Sequence, residues 1–204
     1  MALDLLYVAT GNRGKLREFA QILGAAGVPV TAHPEYREPL EGEHSYEENA
    51  ALKARSLAAQ LRDAEIPAAV VADDSGIELD ALDGAPGVLS ARFGGPEATW
   101  PQRRRLVLDA ADRSGKRGAR FVCALHYVGA DGRELAVKAD VRGEVPPQER
   151  GDGGFSYDAV FYYPPAERTF AELSEEEKNR LSHRARAVEE LLRKLGTKSP
   201  ETGM

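Results

Sequence analysis

Pro67-Ala-Ala-Val-Val-Ala-Asp-Asp-Ser-Gly76 decides how the rest of the chain is read. Its opening apolar run, Pro67 to Ala72, reads as a buried strand that stops where the carboxylates begin. In open α/β sheets ligands bind outside the carboxyl ends of strands. Two adjacent carboxylates at such a place repel one another unless a cation or a shared proton relieves the charge. Neighbours on an extended chain point to opposite faces, so one of Asp73 and Asp74 can hold a metal while the other acts on water. Taken alone, Asp73-Asp-Ser-Gly76 fits a metal site, an acid/base pair or an Asx turn.

Working outward, Leu5 to Ala9 is a short apolar strand, Thr10 to Gly14 a turn, and Lys15 to Leu23 has helical periodicity. The Pro- and Glu-rich stretch 28–44 reads as a strand plus a loop. Ser45 and Glu48 fit a capping box that opens a helix running to about Leu61. Gly76 to Leu82 is a possible further strand, and Asp83-Gly-Ala-Pro-Gly87 a turn. Glu97 to about Ala111 reads as a helix with Pro101 in its first turn. Ala119 to Val128 and Glu134 to Val145 form strands around an Ala130-Asp-Gly132 hairpin turn. Val160 to Tyr163 is another strand. Ser174 and Glu177 make a second capping box, and a last helix buries Ala185, Val188, Leu192 and Leu195. Early alternation of strands and helices, followed by a hairpin, predicts an α/β fold with a mixed sheet in two lobes. Residues 1–196 are expected to make one catalytic domain of two lobes and 197–204 a flexible tail, because Gly196 and Pro200 end the helix.

The chain has 204 residues, 42% of them hydrophobic, enough for one sizeable core or two lobes sharing one. A formal net charge of -6 gives no overall basic field for nucleic acid. The one dense basic run, Arg103-Arg-Arg105, reads as a solvated helix face or as a phosphate or partner contact. Cys123 is the only cysteine, so no internal disulfide forms, and its apolar neighbours mark it as a small buried hydrophobe. With no signal-like or membrane-spanning stretch, a soluble cytoplasmic protein is expected.

Three further segments carry chemistry. Thr10-Gly11-Asn12-Arg13-Gly14-Lys15 joins a strand to a helix, where free amides and a lysine form an anion site. It is no P-loop, because Leu16 stands where a Ser or Thr would bind magnesium, and an ordinary tight turn fits it as well. Lys53 lies in or beside the inward stripe of its helix, so it either snorkels out or meets an anion such as a phosphate. Glu41, Glu43, Glu78, Asp80 and Asp83 join the aspartate pair as candidate metal ligands; oxygen donors without a His/Cys cluster suit magnesium. Towards the C-terminus, Phe155 and Tyr157 can stack on a base and Asp158 can accept from a ring N–H. Lys178 can reach a phosphate or base, and Arg184 offers donors to a carbonyl.

Thr10-Gly-Asn-x-x-Lys15, Glu48-Asn-Ala-x-x-Lys53-Ala, Ala72-Asp-Asp-Ser-Gly76, Gly84-Ala-Pro-Gly87, Gly154-Phe-Ser-Tyr-Asp158 and Glu177-Lys-Asn with Ser182-His-Arg184 occur in one order along the chain. In this the sequence resembles the inosine triphosphate pyrophosphatases, over about residues 3–195. The resemblance implies an elongated two-lobed α/β fold, an active-site cleft between the lobes and a homodimer. It implies hydrolysis of dITP, ITP and XTP to a nucleoside monophosphate and pyrophosphate. Carried over by position, Thr10, Gly11, Asn12, Arg13, Gly14, Lys15 and Lys53 would hold phosphates. Glu41 and Asp74 would bind magnesium, Asp74 would be catalytic with Asp73 beside it, and Ser75 would touch substrate. Phe155, Ser156, Tyr157, Asp158, Lys178, His183 and Arg184 would frame the nucleoside, with Arg92 also facing the cleft. Arg184 and His183 would match a 6-oxo purine. The chain departs from the pattern at Ser156, where a glycine is common, at His44, and at Trp100-Pro101, none of which removes a catalytic group.

Overall fold

The computed structural model describes residues 5–197. Strand β1 (Leu6–Val8) lies parallel to β2 (Val30–Thr31) and to β3 (Ala69–Leu79), with Leu6 opposite Ala69 and Val8 opposite Val71. β4 (Gly118–Val128) and β5 (Glu134–Glu144) follow, then two short strands, β6 (Tyr162–Tyr163) and β7 (Arg168–Thr169). β6 runs antiparallel to both β5 and β7. The sheet order is β2-β1-β3-β4-β5-β6-β7, so parallel pairs stand at one edge and antiparallel pairs at the other. The expected α/β class with a mixed sheet is what the chain adopts.

Helices α1 (Arg13–Ala25), α2 (Tyr46–Asp63), α3 (Trp100–Ser114), α4 (Glu175–Leu181) and α5 (His183–Leu195) complete the fold. Their starts follow from capping chemistry. Asn12 Oδ1 accepts from the amides of Gly14 and Lys15, at 2.8 and 3.2 Å, so α1 begins two residues before its apolar periodicity. Ser45 accepts from the Glu48 amide at 3.2 Å, but its hydroxyl donates to Glu47, so Glu47 is the carboxylate that meets the cap. α3 begins at Trp100 rather than Glu97, because Thr99 and Gln102 form a complete capping box with Pro101 in the first turn. The Ser174–Glu177 box at α4 is complete.

Two readings are corrected at β3. The strand does not stop before Asp73, and Gly76 to Leu82 is not a separate strand. One strand runs from Ala69 to Leu79, and Asp80–Leu82 is a 3-10 turn. The apolar run ends at Ala72, but cations meet the carboxylates from neighbouring elements, so the extended backbone passes straight through them. Val160 to Tyr163 is strand over its second half only: Asp158–Val160 is a 3-10 turn and Tyr162–Tyr163 pairs in the sheet.

The described residues form two compact units. One holds the chain up to Asp74, Cys123–Ala139 and the chain from Arg184 on; the other holds Ser75–Val122 and Asp140–His183. In the first unit Leu6, Val71, Leu125 and Val188 pack with Phe19 and Leu23 of α1, and Cys123 is fully buried among them, as its apolar segment implied. A second cluster packs Leu57 and Leu61 of α2 on Val70 and Ala72 of β3. Burying each such side chain contributes about 1.5–3 kcal/mol. The other unit centres on Phe121, Phe161 and Phe170, with ring centroids 4.3 and 4.9 Å apart along the series. Thr197, the first residue of the expected tail, is tied to the last helix: its amide and hydroxyl both donate to Leu192 O, at 3.1 and 2.9 Å. Residues 198–204 lie outside the described residues.

Candidate active site

In the first unit the sheet presents Asp73 and Asp74 to two different sets of partners. Asp73 is 1% exposed. Lys15 Nζ lies 3.0 Å from its Oδ2, and the Arg184 Nη2 donates to the same oxygen at 3.3 Å. Burial pushes the Asp73 carboxyl up, but Lys15, Arg184 and Lys53 outweigh it and hold the group well below the aspartate range. Arg184 is itself buried and also donates to Glu18, a buried carboxylate on α1. The result is an ionised chain, Lys15–Asp73–Arg184–Glu18, in which each charge faces an opposite one.

Asp74 faces α2. Asn49 Nδ2 donates to its Oδ2 at 3.0 Å, and Lys53 Nζ lies 3.4 Å from its Oδ1. Lys53 also donates to Glu41 Oε1 at 2.7 Å. Burial raises the Asp74 carboxyl, and here the nearby cations do not overcome it, so the group takes a proton more readily than an ordinary aspartate. Burial alone would push the Lys53 ammonium down; Asp73, Asp74 and Glu41 together hold it above its ordinary value. Lys53 therefore does not snorkel. It is 3% exposed and meets an anion, although that anion is a carboxylate pair of the chain itself.

Helical spacing accounts for this convergence. Asn49 and Lys53 are four residues apart on α2 and share a face. Asn49 also closes on the loop before the helix: its Oδ1 accepts from the Gly42 amide at 2.8 Å and its Nδ2 donates to Gly42 O at 3.2 Å. That ties down the residue next to Glu41. Asn49 and Glu18 were not singled out from sequence. Both are buried polar groups one helical turn from an expected site lysine, Asn49 four positions before Lys53 and Glu18 three after Lys15. That spacing was the available signal.

The Thr10–Lys15 turn is only partly an open anion cradle. Thr10 Oγ1 accepts from the Asn12 amide at 3.1 Å, and the Asn12 side chain takes the Gly14 and Lys15 amides. Gly11, Asn12 and Arg13 are exposed; Thr10, Gly14 and Lys15 are half-buried.

The second unit gathers the C-terminal set. Lys178 Nζ lies 2.6 Å from Asp158 Oδ2 and 4.6 Å from the centroid of the Phe155 ring. The same Asp158 oxygen accepts from the Phe155 amide at 2.7 Å. One oxygen of Asp158 is thus held by its own loop and by Lys178. Phe155 and Ser156 stay half-buried. Tyr157, expected to frame the nucleoside, lies in the core. It is 1% exposed, its hydroxyl donates to Ser90 O at 2.6 Å, and Trp100 meets its ring edge-on. Tyr157 sits in a turn, at the start of the Asp158–Val160 3-10 segment.

His183 and Arg184, expected to match a 6-oxo purine, are both buried. His183 is buried and stacks on Phe121 at 4.7 Å. Arg184 belongs to Asp73 and Glu18, as described. Ser75 is half-buried and Arg92 exposed. The Arg103–Arg105 run is not one solvated face. Arg103 is buried, donating to Gly95 O at 3.0 Å and lying over the Trp100 ring. Arg104 pairs with Glu149, and only Arg105 is exposed, pairing with Asp109.

Among the described residues no group of three or more His, Cys, Asp or Glu side chains is placed to hold a metal ion. Glu41 and Asp74 nonetheless converge on one ammonium, which marks a place where two carboxylates share a cation. The Ham1 family model matches residues 6–194. The chain belongs to the Ham1 family. A curated Ham1-family relative from Exiguobacterium sp., named dITP/XTP pyrophosphatase, is 42% identical over 189 residues, covering 91% of this chain and 94% of its own. One from Rhodospirillum centenum with the same name is 45% identical over 195 residues, covering 93% of each chain. A solved Ham1 protein from Coxiella burnetii superposes with a TM-score of 0.80 at 34% identity, covering 96% of this chain and all of its own. Family membership at this identity accounts for the ordered motifs and for the mixed sheet that carries them.

Proposed function

We propose that this chain hydrolyses the non-standard purine nucleoside triphosphates dITP, ITP and XTP to the nucleoside monophosphate and pyrophosphate, clearing them from the nucleotide pool. The observation that carries the reading is the unequal treatment of two adjacent carboxylates. Asp73 is locked in the charged state by Lys15 and Arg184, while Asp74 is raised and stands beside Lys53, Asn49 and Glu41. A pair whose environments push their protonation apart divides labour. The names carried by relatives sharing this fold and these motifs support the same reading.

Glu41 and Asp74 would hold a divalent cation, for which we propose magnesium. Oxygen donors suit it, and magnesium is commonly bound by one or two carboxylates with substrate phosphates completing the shell. Such an ion would offset charge on the triphosphate oxygens. Asp74 would accept the proton of the attacking water, because Asp73 is fixed between Lys15 and Arg184 while Asp74 is held only by Asn49 and Lys53. Asp73, fixed by Lys15 and Arg184, keeps those cations in place instead of taking a proton. Lys15 and Lys53, with the Thr10–Lys15 turn, would supply positive charge for the phosphates, and Ser75, next to Asp74 in the chain, would touch substrate. This is catalysis by positioning and fixed charge, as phosphoryl-type transfer requires.

Phe155 offers a half-buried ring for the base, with Ser156 beside it, while Asp158 and Tyr157 hold the loop. Lys178 has donors only, so it suits a carbonyl on the base and leaves an amino group badly paired. A site of this kind rejects the wrong partner strongly. Selection of 6-oxo purines would therefore rest on Lys178, with His183 and Arg92 in support. The chain is expected to act as a cytoplasmic homodimer with residues 1–196 as its catalytic domain, a reading that rests on the motif resemblance; sedimentation tests the dimer. Among the described residues no helix is long and apolar enough to cross a membrane.

Asp74→Asn tests the division of labour. It is expected to slow pyrophosphate release at least ~100-fold, the scale of a general acid/base contribution. Turnover within a few-fold of the parent would overturn the assignment.

A further inference from the structure

Ser156 carries a φ of 59°, in the left-handed region that side-chain-bearing residues adopt rarely. Nothing in the residue itself favours that conformation, so its surroundings must impose it. On the C-terminal side the loop is fixed: Tyr157 is in the core with its hydroxyl on Ser90 O, and Asp158 is bound to Lys178. On Ser156 itself the contact comes from α3. Arg104 Nη1 donates to the Ser156 carbonyl at 3.2 Å, and Glu149 orients the guanidinium by accepting from its Nε at 2.7 Å. The Arg104 side chain is 19% exposed.

We propose that Arg104 is a positioning residue for the nucleoside: by holding the Ser156 carbonyl it keeps Ser156 left-handed, and so keeps Phe155 in its place over Lys178. The inference rests on the reading above, in which Phe155 and Lys178 meet the base. Its logic lies in the loop's connectivity. Phe155 precedes Ser156, its amide donates to Asp158 Oδ2, and its ring lies 4.6 Å from Lys178 Nζ. A rotation of Ser156 to negative φ turns its carbonyl away from Arg104 and swings Phe155 out of line with Asp158 and Lys178. Arg104 opposes that rotation and touches neither Asp73 nor Asp74 in any hydrogen bond or ion pair described above, so its loss is expected to affect how the nucleotide is held and not the chemistry.

The test is a cycle of Arg104→Met, Ser156→Gly and the double variant, read two ways. Met keeps the length of the stem and removes the donors; glycine adopts positive φ without cost, so it removes the need for the contact. In steady-state pyrophosphate release from ITP, Arg104→Met is expected to raise KM about 10-fold with kcat changed less than about 2-fold, the mark of lost binding. In the Ser156→Gly background the same Arg104 change is expected to raise KM less than about 2-fold. Independently of turnover, hydrogen exchange at the Phe155 amide should speed up in Arg104→Met and not speed up further when Arg104→Met is added to Ser156→Gly. An equal KM penalty in both backgrounds, a fall in kcat matching the rise in KM, or unchanged Phe155 exchange in Arg104→Met would each overturn the proposal. Failure of the parent enzyme to release pyrophosphate would instead count against the functional reading, and the exchange cycle would still decide the role of Arg104.

Discussion

At the scale of single residues, the aspartate pair shows how identical side chains one position apart come to differ. Extended backbone turns them to opposite faces, and each face supplies its own company. Asp73 meets Lys15 and Arg184, Asp74 meets Lys53 and Asn49. Asp73→Asn therefore removes the anion from between two cations, one of them buried. Breaking one side of a buried pair costs about 3–5 kcal/mol, and the expected result is a clear fall in Tm with native-like circular dichroism at low temperature. The same residue sets an acid dependence. Its folded-state pKa is depressed, so the stability it contributes is full above the ordinary aspartate value near ~4 and is lost as pH falls below that. Acid titration of Tm should show the parent losing stability below pH ~4 more steeply than Asp73→Asn; parallel curves would count against the buried network. Sequence made these groups legible as candidates, because a doubled carboxylate after an apolar run is rare in kind. It could not divide them, since the division depends on which cations arrive from residues as distant as Arg184.

At the scale of elements, α2 does the most for the site. It carries Asn49 and Lys53 on one face and is fixed at its start by Ser45. Ser45→Ala is expected to cost about 1 kcal/mol, the usual worth of such a cap, read from denaturant midpoints at unchanged slope. A larger share of the loss should fall on turnover at limiting magnesium, because the Glu41–Gly42 loop leads directly into that cap. The flanks of α2 are held by Arg55, which meets Glu134 of the β4–β5 hairpin at 2.7 Å, and Glu134 also meets His126. Side-chain hydrogen bonds from Arg55 first and His126 second hold the Glu134 carboxyl down to about 2. Helix and hairpin elements were readable from periodicity and caps. β3 was not, and the reason is physical: a strand was ended at Asp73 because charge seldom enters a sheet, whereas paired charge can. The Arg103–Arg105 run failed for a similar reason, since the first arginine is buried by a contact with Gly95 before the helix and by the Trp100 ring at the helix start. The burial of Tyr157 was not readable either, because it depends on a left-handed turn at Ser156 and on a hydrogen bond to Ser90, far away in the chain.

At the scale of the whole molecule, the ordered motifs predicted both class and family, and the mixed sheet of the Ham1 family is what carries them. What composition could not supply was the pairing of charges across that sheet. The account as a whole holds that a carboxylate site of unequal members, sharing a divalent cation with a triphosphate, cleaves 6-oxo purine nucleotides. Chelating divalent ions should abolish turnover while leaving the fold intact, because within the described residues Lys53 already neutralises Glu41 and Asp74. The most direct measurement is pyrophosphate release from ITP, dITP, XTP, ATP and GTP, each with magnesium and with a chelator. The account predicts turnover of ITP, dITP and XTP with magnesium, at least ~100-fold above ATP in kcat/KM on the scale at which hydrogen-bonding sites discriminate, and none with the chelator. Equal hydrolysis of ITP and ATP, or release of single phosphates in place of pyrophosphate, would contradict it.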